Sequence, residues 1–109
     1  MTQTTLIPAV YYPGVLDQVI FDPAGPRPQI LADGERLKVV VVGLEPGQEI
    51  PVHPETMAVY IVLEGTGVLV VNDEEFALTA GATIIAPPGA ARGVRATSRL
   101  SFLAAKAGA

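Results

Sequence analysis

Apolar residues in this chain fall in short blocks, and no 3.6-residue periodicity survives between the glycines and prolines that separate them. The blocks are "LKVVVVGL" at 37–44, "AVYIVL" at 58–63, "GVLVVN" at 67–72, "EFALT" at 75–79, "ATIIA" at 82–86 and the run from Leu100 to Ala104. They are rich in β-branched residues and recur at about 8–12 residues, which predicts an all-β sandwich or barrel. Asp73 and Glu74 read as a tight hairpin loop that polar Asn72 leads into. Gly65 and Gly67 bracket a second bend. In "APPGA" at 86–90, Pro87 and Pro88 fix φ while Gly89 is free to take a positive φ.

Residues 1–30 have another texture. "IPAVYYPGVLD" and "FDPAGPRPQI" carry Pro8, Pro13, Pro23, Pro26 and Pro28. Proline cannot donate to a β-ladder, so this stretch is expected to form edge pieces and irregular coverage. Its Leu6, Ile7, Val10, Tyr11, Tyr12, Val15 and Leu16 need a surface to cover, either the chain's own body or a partner subunit. The organisation predicted is an arm over 1–30 and a single β domain over 31–109.

Composition narrows the function classes. Half of the 109 residues are apolar, enough for a core without staples. The absence of cysteine excludes disulfides, thiolate catalysis and cysteine-ligated metal. Net charge is −4 and the seven basic residues are scattered, so nucleic acid is not an expected partner. Arg92, Arg95 and Arg99 are the nearest thing to a basic cluster, and they lack interleaved aromatics. No apolar run reaches the roughly 18 residues that span a bilayer, and "MTQTTLIPAV" lacks the basic flank of a leader. No membrane partner and a cytoplasmic location are therefore expected.

The chemistry concentrates around the single histidine. "PGQEIPVHPETMAVYIVLEGTG", followed by "AGATIIAPPGAARGVRA", resembles the two motifs of the cupin superfamily. The framework matches: five residues separate Gly47 from His53, "VLEG" ends at Gly65, and Gly81, Pro87 and Gly89 fall at family spacing. The resemblance implies a small jelly-roll β-barrel, often homodimeric, with three histidines and a glutamate holding a divalent metal. His53 stands at the first ligand position and Glu55 at the second. Ala58 takes the glutamate position, with Tyr60 as the substitute under another alignment, and Arg92 takes the last histidine.

One histidine and one carboxylate fall short of a zinc or non-haem iron site. A guanidinium at about 4 Å from an ion adds roughly 4 kcal/mol of repulsion per unit charge at an effective dielectric near 20. The expectation is a site without a tightly bound metal, in which Arg92 pairs with Glu55. His53, Glu55, Tyr60 and Arg92 are then the candidate pocket for a small polar or anionic molecule such as a carboxylate. The alternative is a divalent transition metal on His53 and Glu55 in a dioxygenase, isomerase or decarboxylase. Because such enzymes need ligands this chain does not show, a non-catalytic role is favoured. The resemblance also implies a homodimer, formed through the arm or an edge strand. Glu49 shares strand parity with His53 and reads as a solvated rim residue.

Overall fold

The computed structural model describes residues 8–108. The strands are β1 (Arg27–Asp33), β2 (Leu37–Leu44), β3 (Glu49–Pro54), β4 (Ala58–Glu64) and β5 (Gly67–Val71). They continue with β6 (Glu74–Leu78), β7 (Thr83–Ala86), β8 (Ala91–Ala96) and β9 (Leu100–Ala107). The one helical element described is a 3₁₀ turn, Val15–Gln18. Two antiparallel sheets result, ordered β1-β2-β9-β4-β7 and β3-β8-β5-β6. They form the double-stranded β-helix expected of a jelly roll, but as a sandwich whose sheets do not close into a barrel. Among the described residues no helix is long and apolar enough to cross a membrane.

Strand periodicity explains the core. In the larger sheet one inward row is Val40, Ala104, Tyr60 and Ile84, and the next is Val42, Phe102 and Val62. These meet Leu69, Val71, Val94 and Ala96 from the smaller sheet. Tyr60 and Phe102 pack with ring centroids 5.8 Å apart. The inward row at one end is different: it contains Lys38 opposite Lys106, then Ala58 and Ala86. That end is the mouth of the sandwich.

The outward rows of the same sheet are also apolar. One reads Ala32, Val39, Ala105, Val59, Ile85, and its neighbour Gln29, Val41, Leu103, Ile61, Thr83. The arm covers part of this face. Val41 and Ser101 are 0% and 1% exposed although they point out of the sandwich. A side chain at Gly43 would lie 2.3 Å from the carbonyl oxygen of Ile20, so only glycine admits the arm this closely. Further along, the arm is tied down by Tyr12 donating to the Leu31 carbonyl and by Gln48 donating to that of Asp22. Within the arm stretch, β1 begins at Arg27 and forms an edge strand, as its prolines require.

The turns follow the framework glycines. Gly47, Gly65, Gly81 and Gly89 all have positive φ. The β5–β6 hairpin turns on Asn72 and Asp73 rather than on Asp73 and Glu74, with φ of 48° and 70°. Both central residues of such a turn need positive φ, and Asn and Asp tolerate it better than Glu, so Glu74 starts the next strand.

Candidate functional site

The mouth is assembled by β3, β8, β9 and two loops. β3 carries a bulge, because Ile50 pairs with Val94 and His53 with Arg92, which leaves Pro51 and Val52 facing Gly93 alone. Gly93 makes room for it; a side chain there would lie 2.8 Å from Val52 and 2.9 Å from the Ile50 carbonyl oxygen. The bulge changes the parity of the strand. Ile50 packs against the core and His53 turns in beside Arg92, whereas Glu49 pairs with outward-facing Arg95 and no longer shares a face with His53.

Arg92 is 2% exposed, and its guanidinium faces backbone carbonyls. Nε donates to Ala90 at 3.1 Å and Nη1 to Thr56 at 2.7 Å. Nη2 donates to Glu55 and Pro87, both at 3.1 Å. The expected Arg92–Glu55 ion pair is therefore not formed. Arg92 takes the main-chain oxygen of Glu55 and leaves its carboxylate alone. The reason is reach: β3 ends at Pro54, so Glu55 sits in the loop that wraps the guanidinium, with its side chain directed elsewhere. Gly89 N–H also donates to the Glu55 carbonyl at 2.8 Å, which ties the same two loops.

The Glu55 carboxylate instead accepts from Lys106 Nζ at 3.0 Å and meets His53 Nε2 at 2.9 Å. Nδ1 of His53 lies 2.8 Å from the Pro51 carbonyl. Both ring nitrogens face groups that only accept, so both are satisfied only when the imidazole is protonated. The Pro51 carbonyl, and after it the Glu55 carboxylate, accordingly hold the His53 pKa above its ordinary 6.5. Burial works against ionisation of Glu55, but the hydrogen bonds and charges of His53 and Lys106 together outweigh it and hold its pKa below 4.5.

Lys106 is the residue that the sequence reading missed. The run was expected to stop at Ala104, yet β9 continues to Ala107, and the alternation Leu100, Phe102, Ala104 places Lys106 on the inner face. That alternation, carried one step further, was the available signal. Tyr60 is brought to the inner face as well, but it lies in the core row against Phe102. His53, Glu55 and Lys106 form one cluster. Arg92 lies beneath it.

Beside the cluster is an open depression of about 710 Å³ between the loop 54–57, the Pro88–Gly89 turn and Ala107–Gly108, mainly apolar apart from Glu55. A groove of about 440 Å³ lies on the outside of the smaller sheet, over the β3 bulge. It holds none of the mouth residues.

The family model for the cupin domain matches residues 40–105. The chain is a cupin. A structure from Thermus thermophilus is 30% identical, with 89% of this chain and 96% of that one covered and a TM-score of 0.82. An RmlC-like cupin from Desulfovibrio desulfuricans is also 30% identical, covering 98% and 96%, at a TM-score of 0.74. A conserved protein of unknown function from Streptococcus pyogenes, 21% identical over 100% and 96%, shares the fold at a TM-score of 0.82. No curated protein matches this cupin.

A divalent metal of the kind implied by the cupin motifs does not fit the donors present. No group of three or more His, Cys, Asp or Glu is gathered among the described residues. Nδ1 of His53 donates to the Pro51 carbonyl and Nε2 to the Glu55 carboxylate, so neither ring nitrogen offers a free lone pair, and that carboxylate is also held by an ammonium. Arg92, at the last histidine's motif position, adds a buried positive charge beneath them.

Proposed function

We propose that this cupin binds a small organic carboxylate at its mouth, with no resident transition metal taking part. The observation that carries this reading is the charge count around Glu55. Lys106 and His53, whose two ring contacts both favour the protonated form, meet the Glu55 carboxylate, and Lys38 stands opposite Lys106 across the strands. Asp33, exposed on the edge strand, stands on the far side of Lys38. Lys106 gives one of its three N–H bonds to Glu55, so it retains donors for an incoming anion. The depression alongside, walled by Pro54, Met57, Pro88 and Ala107, suits an apolar body attached to that anion.

Calorimetric titration with monocarboxylates of increasing chain length tests the reading. Affinity is expected to rise with each added methylene, which contributes about 0.8 kcal/mol when buried. Lys106→Gln should weaken binding by about tenfold or more, equivalent to 1.4 kcal/mol. Silence across the whole series, or binding that Lys106→Gln leaves intact, overturns it. Elemental analysis of tag-free protein should find well under one equivalent of transition metal; a stoichiometric metal lost on His53→Ala would count decisively against the proposal.

A further inference from the structure

The chain has two lysines, Lys38 and Lys106, and the fold sets them directly opposite each other. They stand in the row Asp33, Lys38, Lys106, Ala58 that crosses β1, β2, β9 and β4 at the mouth. Lys38 shares the parity of Val40 and Val42, and Lys106 that of Phe102 and Ala104, so both stems leave the sheet on its core side. Opposed residues on antiparallel strands lie about 4.5–5.5 Å apart at Cα, and like charges in that position destabilise a sheet. One carboxylate meets the pair, and only at Lys106: Glu55 Oε2 accepts from Lys106 Nζ at 3.0 Å and meets His53 Nε2 at 2.9 Å. Among the described residues Lys38 enters no ion pair, although Asp33 is its register partner on β1. Asp33 is exposed, as are Glu35 and Arg36, which follow it with opposite signs. Arg92 adds a buried cation beneath, and its donors are occupied by carbonyls.

We propose that the ligand of this mouth is a short dicarboxylate, one end on Lys106 and the other on Lys38; the inference rests on the carboxylate reading above. Lys38, Lys106 and Arg92 place three positive charges around one carboxylate even with His53 neutral. A monoanion leaves an excess in place, whereas a dianion cancels it. Each ammonium sits on a flexible four-carbon stem and carries three donors, so the two can part to the length of a four- or five-carbon diacid. Two like charges opposed within a sheet break a local rule, and such breaks are expected where a site requires them. The methylenes between the two carboxylates face the apolar wall of Pro54, Met57 and Pro88.

Calorimetric titration of the full chain with succinate and with butyrate, equal in carbon number, tests this. Succinate should bind more tightly than butyrate by about tenfold or more, equivalent to 1.4 kcal/mol. Lys38→Gln should bring the two ligands within about twofold of each other, and Lys38→Arg, which keeps the charge, should retain the preference. Arg95→Gln, which removes a cation from the outside of the smaller sheet, should leave the ratio as it is. Wild-type protein serves if a variant does not fold, because acetylation of each lysine can be followed by mass spectrometry. Succinate should slow the labelling of both lysines, and butyrate chiefly that of Lys106. Butyrate binding with succinate no tighter removes the dicarboxylate and leaves the carboxylate reading standing; silence from both ligands removes the two together. A preference that persists in Lys38→Gln, or a Lys38 labelled at the same rate with and without succinate, also overturns the inference.

Discussion

Two arginines sit near opposite ends of the sandwich and are handled in opposite ways. Arg92, at the mouth, is buried and meets only carbonyls. Arg99, at the far end, has a side chain 62% exposed and a forked contact with Glu45, Nε to Oε1 at 2.8 Å and Nη2 to Oε2 at 3.2 Å. It also lies 4.3 Å above the Phe21 ring. By counting ion pairs Arg99 is the better anchored. Burial reverses the ranking, because a water-exposed pair replaces good hydration with an equivalent contact, whereas removing a buried donor strands its acceptors.

The largest expected effect comes from Arg92→Ala. The Thr56 and Ala90 carbonyls lose the donor they have, while Glu55 and Pro87 keep the backbone N–H groups of Gly89 and Ala90. With two carbonyls stranded at about 1–3 kcal/mol each, a loss of about 2–6 kcal/mol is expected, a fall in melting temperature of roughly 10–30 °C for a domain of this size. Arg92→Lys should recover little, since one ammonium cannot span two loops as a planar fork does. A shift of only a few degrees in both variants would break the comparison.

His53 is the intermediate case, half-exposed and paired. Its folded pKa is raised, so its contribution is complete below the ordinary 6.5 and is lost as pH rises through the folded value. Thermal stability should therefore decline as pH rises above about 6.5 and through the folded value, and His53→Gln should flatten that slope. A slope of the opposite sign would mean that the imidazole is neutral in the native state. The smallest effect belongs to Arg99→Ala, at most about 1 kcal/mol for the pair. It should shrink in 1 M salt, where charges are screened within about 3 Å.

The fold was legible because its framework residues are set by backbone geometry. Glycines at positions of positive φ, and β-branched blocks between them, state their constraint locally. The site was harder to read because its partners are chosen by reach. Glu55 and Arg92 are contacts of neighbouring motifs, yet which atoms of Glu55 Arg92 meets depends on where β3 ends. The parity of Glu49 depended on a bulge that only the opposing Gly93 permits. Lys106 lay in what looked like a small-residue tail, and only its place in the strand alternation gives it a role.

The Arg92 clamp has a consequence for how the mouth comes into being. In the arrangement that the cupin motifs imply, an exchangeable ion joins the loops, so a competent mouth depends on supply, loading and retention. Here the joining cation is part of the polypeptide and arrives with synthesis. No chelator can extract it and no competing ion can replace it. Every copy that folds has the loops of its mouth joined from the start.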